Sequence, residues 1–461
     1  MNFRTKSYLR KRFGDYYNSS ELPLPHDFKR REWGFIFFDE LPEVVMRRHK
    51  AFSSEGEAIE YLRGMVPAHA YHSAAYYQFP GAGTMKEKKW EGADLIFDLD
   101  ADHLPQKVKS YAEMLSNVKA ETGKLLDFLL EDFGFDEENI RVAFSGGRGY
   151  HIHVHDKRVL TLESAQRREI VDYLSGTGLS VDSLFKQAKY VVHDTGRIRR
   201  KEFGSPKKII SFEDQVGGYG WGKRVSQYLV SYLRKLSSKE KYLALGEVSC
   251  KIFLYFQHFE ETPANMETIA CQIFKNKLEH PSWNSQRIAF EVADNSASES
   301  FIKDIMSYEG KARKIINIAK SENAINMIQN EGIVDFKGVP EFFEIILEDT
   351  IREFGVQMSA KTDEPVTADI RRLIRMPTSL HGGSGMRVVP LTLSEFKTFE
   401  PLSDAVVFSE KEIKIEVIPP LKPQNALVEM KGKSIKVVEG INTVPEYAGI
   451  YLMCRGAAEY A

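Results

Sequence analysis

The chain has 461 residues, room for two or three domains at roughly 150 residues each. Its 63 Lys and Arg against 65 Asp and Glu leave a formal charge of −2, so it has no global basic field and would meet a polyanion only through local patches. Three widely spaced cysteines, Cys250, Cys271 and Cys454, exclude a disulfide scaffold and a Cys-rich zinc module and suit a reducing, cytoplasmic setting. The basic residues of the first dozen positions are followed by no apolar run, so no signal peptide is expected. Residues 66–85 lack Asp, Glu, Lys and Arg, but Pro67, His69, His72, Gln78 and Pro80 rule out a membrane helix there.

The first 30 residues read as a basic helical segment and Arg31–Phe38 as a strand. Residues 56–64 predict a short helix, and the Tyr-, Ala- and Pro-rich stretch 67–85 an irregular segment. The next stretch, Ala93–Asp102, organises the rest. As a strand it puts Leu95, Phe97 and Leu99 on one face and Ile96, Asp98 and Asp100 on the other. Two carboxylates at i and i+2 stand about 7 Å apart, within reach of a shared hard cation, which prefers oxygen ligands. Without a cation they would repel each other. A strand end running into an acidic turn would look the same in isolation.

From Pro105 to about Phe133 the spacing of Tyr111, Met114, Leu115, Val118, Leu125, Leu126, Leu129 and Phe133 predicts a helix that Gly134 ends. A strand Ile140–Phe144, the turn Ser145-Gly146-Gly147-Arg148-Gly149 and a strand Tyr150–His155 follow. Glycines there permit a tight turn with amides facing outward, and Ser145 and Arg148 add donors suited to phosphate. His151, His153 and His155 share one strand face; with no further Cys or Asp at suitable spacing, a zinc site is disfavoured. An ordinary Gly-rich hairpin is the bland alternative.

Residues from about 160 to 350 read as a mostly helical insertion or second subdomain. Gly217–Lys223 matches G-x-x-x-x-G-K, but Arg224 stands where a phosphate-binding loop needs Ser or Thr. The basic run Arg197, Arg199, Arg200, Lys201, Lys207 and Lys208 fits either a nucleic-acid backbone or a solvated loop. Farther on, Ile370, Leu373 and Ile374 predict the apolar stripe of a helix and Arg371 and Arg375 its basic stripe, closed by Pro377, with Asp363 able to complete a carboxylate set. Residues 400–461 read as short strands around Pro419, Pro420 and Pro423. The expected divisions are 1–160, 161–345, 346–400 and 401–461.

Three motifs in this order, Phe97-Asp98-Leu99-Asp100, Ser145-Gly146-Gly147-Arg148-Gly149-Tyr150-His151, and Asp363 followed by Arg375-x-Pro377-x-Ser379-x-His381, resemble the small, catalytic subunit of archaeal and eukaryotic DNA primase. The resemblance covers roughly residues 25–160 and 340–395. It implies an α/β (α+β) catalytic core with a mixed or antiparallel sheet and a helical subdomain. It also implies a nucleotidyltransferase that makes short RNA and DNA primers on single-stranded DNA from NTPs or dNTPs. Asp98, Asp100 and Asp363 would hold Mg2+ or Mn2+. Ser145, Arg148 and His151, with Arg375 and His381, would hold the incoming triphosphate, and Arg31, in Arg31-Glu32-Trp33, is a further nucleotide contact.

A primase large subunit and a replicative polymerase are the implied partners, with no membrane and a nucleoid-associated place in the cytoplasm. A repair, end-joining or translesion polymerase of the same superfamily is the alternative enzyme. A nucleic-acid-binding protein that has lost its chemistry is the alternative outside enzymes; the intact Asp98, Asp100, Asp363, Arg148 and His151 argue against it. Two departures stand out. Gly147 occupies a place where some members carry a second arginine. The Cys/His knuckle of the family has no counterpart, since residues 101–140 hold no cysteine and one histidine, His103, so no structural zinc is expected.

Overall fold

The computed structural model describes residues 1–101, 110–194, 198–210, 220–257, 265–292, 299–334, 338–356, 366–420, 422 and 426–461, with the backbone alone from 185 to 209 and at 289, 299, 331 and 334. Two compact units result: Met1–Ser175 with Val356–Ala461, and Gly176–Gly355.

In the first unit, chain order runs α1 (Phe3–Ser19), β1 (Trp33–Ile36), β2 (Arg47–Lys50), α2 (Glu55–Met65), β3 (His69–Ser73), β4 (Ala75–Tyr77), α3 (Met85–Lys88), β5 (Trp90–Ala93), β6 (Leu95–Asp100), α4 (Tyr111–Asp127), β7 (Ile140–Phe144) and β8 (Gly149–Val154). After the second unit come β9 (Leu373–Arg375) and β10 (Val389–Leu391). They form two four-stranded antiparallel sheets, in the orders β10-β7-β8-β6 and β9-β3-β1-β2.

Alternation in β6 works as the sequence implies. Leu95, Phe97 and Leu99 are buried, and α4 lies against β6 and β8 with Leu115, Val118 and Leu125 inward. On the other face Ile96 packs with Ala74 and Ile374. That small cluster ties the two sheets together beside the carboxylates. The predicted helix starts at Tyr111, where the Ser110 side chain accepts from Glu113 N–H, and it leaves through a π-helical turn, Phe128–Asp132, to Gly134 at φ +59°.

Two segments differ from their expected form. Residues 69–77, expected to be irregular, hold β3 and β4, and β3 is an inner strand hydrogen-bonded on both edges by β1 and β9. Residues 370–375, expected to be helical, make a turn closed by Arg372 N–H to Asp369 O and then β9. Over six residues, apolar positions 370, 373 and 374 suit a helix, but β3 offers an open edge, and a strand there sends Ile374 into the core. The strands expected in the tail are present, at Glu412–Val417, Leu427–Met430, Lys433–Lys436, Gly440–Pro445 and Ala458–Tyr460. They are joined by a helix, Glu446–Cys454, that the sequence reading lacks. Every residue from Glu446 to Met453 is buried, so no polar face marks a period. Arg12 of α1 holds Glu446 at 2.7 Å, and Tyr8 donates to the same carboxylate at 3.0 Å.

The second unit is mostly helical, as expected, with one sheet of Phe185–Asp194, Ile198–Ile210 and Ile333–Val334. Arg199, Arg200, Lys201, Lys207 and Lys208 lie on a strand paired with Phe185–Asp194 rather than in a loop; Arg197 lies outside the described residues. So do Gly217, Gly218 and Tyr219, while Lys223 belongs to the helix Trp221–Ser238. Among the described residues no helix is long and apolar enough to cross a membrane.

Candidate active site

An open cleft of about 690 Å³ lies in the first unit, lined from β6 by Asp98 and Asp100 and from the β7–β8 turn by Ser145, Gly147 and Arg148. β8 adds His151, β9 adds Arg375, and the loop beyond adds His381. Seven of the nine predicted site residues therefore converge, from segments as far apart in sequence as 98 and 381.

The pairing of β6 with β8 sets Asp98 opposite His151 and Asp100 opposite Gly149. His151 Nε2 stands 3.5 Å from Asp98 Oδ1, and Arg148 Nε 3.6 Å from Asp100 Oδ1. Burial, with Arg375 and Arg372 adding positive charge nearby, pushes the His151 imidazole down to about 3, so it is neutral. The turn between the strands needs Gly146: φ is +75°, and a Cβ there would fall 2.8 Å from His381 Cβ. Ser145 Oγ accepts from Gly147 N–H (3.4 Å) and Gly149 N–H (3.2 Å). Those two amides thus face inward, where the sequence reading has them outward. Ser145 shapes the turn and keeps its hydroxyl proton to donate.

The opposite wall is cationic but built on neutral rings. His381 Nδ1 accepts from Gly383 N–H at 3.1 Å, which leaves the proton on Nε2. Burial, then Arg375 and His69, holds its pKa well below the ordinary imidazole range. Arg375 Nη1 donates to His69 Nδ1 at 2.7 Å, and its guanidinium lies 5.1 Å from the centre of the Tyr71 ring. His69 Nδ1 also accepts from Gly382 N–H at 3.3 Å, so one imidazole fixes both Arg375 and the loop that carries His381. Binding of inorganic triphosphate, read by calorimetry, should therefore be several-fold weaker in His69→Leu, while His69→Asn, which restores an acceptor near the Nδ1 position, should recover part of it. Equal affinity in the two variants would remove this role from His69.

Arg371, of the predicted basic stripe, lines the cleft too, while Tyr71, Arg48, Arg372 and Arg455 escaped the sequence reading, as did His69, which stands behind Arg375. His69 and Tyr71 alternate on β3 as strand residues do, the one local signal available. Arg48, on the edge strand β2, is gripped by both carboxylate oxygens of buried Glu32 at 3.0 and 3.1 Å, and Lys88 meets the same carboxylate at 2.6 Å.

One of the two remaining predicted residues lies away from the cleft. Arg31 is fully buried, and its donors are spent on His26 O, Ser73 O, Ala74 O, the Tyr76 hydroxyl and Asp94, the last at 2.6 Å. A guanidinium so committed anchors the fold and cannot contact a nucleotide. Asp363 lies outside the described residues. Among those described, no group of three or more His, Cys, Asp or Glu is placed to hold a metal ion. Among the described residues Asp98 and Asp100, from one strand face, and Asp369 line the cleft with carboxylates, donor chemistry that fits a hard divalent cation.

His151 and His153 lie on β8 and His155 just past its end. His153 lies between the rings of His72 at 6.1 Å and His155 at 5.9 Å, and His155 Nδ1 reaches Asp94 at 3.1 Å. Burial above all holds His69, His72 and His153 well below the ordinary imidazole value. Their folded pKa values are depressed, so stability is full above about pH 6.5 and falls as the unfolded chain takes up protons that the native state refuses. Each imidazole contributes about 1.4 kcal/mol per pH unit below that point. Urea unfolding at pH 7.5 and 5.5 should show a clearly lower midpoint at pH 5.5, and equal midpoints would contradict buried neutral histidines.

Paired carboxylates thus share one cleft with guanidinium and imidazole donors on a glycine-turned α/β scaffold. A family model described as DNA primase small subunit matches residues 97–393. The chain is 43% identical over 464 residues to the DNA primase small subunit PriS of Methanococcoides burtonii, all of both chains being covered. It is 42% identical to that of Methanosarcina barkeri (all of this chain, 98% of the relative) and 43% identical to that of Methanocella arvoryzae over the whole of both. The chain belongs to the DNA primase small subunit family.

Proposed function

We propose that this protein is the catalytic subunit of a DNA primase, a DNA-directed polymerase that makes short RNA and DNA primers on single-stranded template by two-metal nucleotidyl transfer. The observation that carries the reading is the juxtaposition of Asp98 and Asp100 on β6 with Arg148, Arg375 and His381 around one open cleft. Relatives along the whole chain bear the name of the primase small subunit.

Asp98 and Asp100, with Asp363, would hold Mg2+ or Mn2+, and such ions, when bound, acidify the attacking 3′-hydroxyl and offset the charge of the departing pyrophosphate. The chain's own residues do the rest. Arg148 and Arg375 bind triphosphate oxygens and neutralise charge as it shifts toward the leaving group. The Nε2–H of His381 donates to the same phosphates without adding a titrating charge. His151 restrains the Asp98 carboxylate, and Ser145 holds the turn that presents Arg148. A large subunit is the partner expected by the name of the relatives, and a replicative polymerase would take over the finished primer.

The test is incubation of the purified chain with single-stranded template and labelled ribo- or deoxynucleotides, with and without its large subunit. Primer synthesis with Mg2+ or Mn2+ is expected. No incorporation under any of these conditions would overturn the proposal.

A further inference from the structure

One cleft residue comes from a part of the chain that none of the catalytic motifs touches. Arg455 follows the helix Glu446–Cys454 and lines the same cleft as Gly147 and Arg148. Its guanidinium lies 5.6 Å from the centre of the Tyr111 ring and 5.2 Å from that of Tyr451, the two rings being 6.0 Å apart. Tyr111 donates its hydroxyl to Gly147 O at 2.5 Å, so the aromatic shelf under Arg455 is fastened to the phosphate-facing turn itself. Among the described residues Arg455 makes no ion pair with a carboxylate, unlike Arg48, which Glu32 holds. This exposed guanidinium rests against aromatic rings with one donor toward the Tyr451 hydroxyl and keeps its other donors for an anion. The turn carries no second cation of its own at Gly147, where a Cβ would lie 3.0 Å from His381 Nε2.

We infer that Arg455 is a substrate-binding residue that grips the phosphates of the incoming nucleoside triphosphate alongside Arg148, from the C-terminal segment. The inference rests on the primase reading and extends it to a residue outside the motifs. Arg455 also caps the C-terminal end of a helix, where a cation is favourable. That role acts on stability, and the experiment separates the two.

Arg455→Ala and Arg455→Lys are compared with the unaltered chain, each with its large subunit, in extension of a primed template at varied nucleotide. Nucleoside triphosphate binding is measured beside it by calorimetry. Losing a charge-assisted contact should raise the nucleotide KM and the calorimetric Kd about tenfold in Arg455→Ala. Inhibition by inorganic pyrophosphate should weaken in parallel. Template affinity should stay as it was, and the melting temperature should drop only by the small amount that a lost helix cap brings. Arg455→Lys should recover part of the loss, since it keeps the charge and lacks the planar fork. A lower melting temperature with unchanged nucleotide affinity would reduce Arg455 to a helix cap. Weaker template binding with unchanged nucleotide affinity would assign it to DNA. Either result overturns the inference. Failure of the unaltered chain to extend primers would sink the primase reading instead, and calorimetry would still decide the role of Arg455.

Discussion

Asp98→Asn should lower primer extension by orders of magnitude even at saturating nucleotide. The substitution keeps the shape of the side chain on β6 and removes one of the two carboxylate charges that β6 turns toward the cleft. A cation site built on those charges loses part of its anchor, and with it the activation of the 3′-hydroxyl and the shielding of pyrophosphate. The loss therefore falls on the chemical step and a higher nucleotide concentration does not restore it. Template binding, measured separately, should survive, because it rests on phosphate contacts elsewhere. Melting should change little: Asp98 is partly exposed and its His151 contact, at 3.5 Å, is long. Near-normal extension by Asp98→Asn would remove the paired-carboxylate mechanism and the catalytic reading with it.

Arg31→Ala should act on the fold. Its removal leaves Asp94 buried without its cation and strips partners from Ser73 O, Ala74 O and the Tyr76 hydroxyl. Burial by itself would raise the Asp94 carboxyl, but Arg31 and then His155 pull it well below the usual carboxylate range. Breaking such a pair on one side costs about 3–5 kcal/mol, so the variant should melt far lower or fail to accumulate folded. Arg31→Met with Asp94→Leu should recover much of that loss, since neither charge is then stranded. An Arg31→Ala protein that melts normally and shows only a raised nucleotide KM would return Arg31 to the nucleotide contacts that the motif resemblance suggests.

What could be read without a structure was local. Alternation over Leu95–Asp100 encodes which face carries the carboxylates, because the strand period is two whatever lies around it. The hairpin Ile140–Val154 is marked by its glycine turn, and α4 with the turn after it by eight apolar positions of one helical stripe ending near Gly134. These elements bring Asp98, Asp100, Arg148 and His151 together through neighbouring strands.

The rest was decided by partners distant in sequence. Residues 370–375 are too few to distinguish a helical from a strand period, and the open edge of β3 settles the matter by pairing Arg375 with Tyr71. That same pairing gives His69 its role, which no feature of the stretch 67–85 announces. Arg31 looked available for a ligand until Asp94 and the carbonyls at the end of β3 closed around it. Glu446–Cys454 shows no period because it is buried on all sides, so neither the helix nor the arrival of Arg455 at the cleft could be foreseen. Periodicity records which side of an element meets the core; which element lies on the other side, and so which charge is spent and which is left for a substrate, is fixed only when distant segments pack.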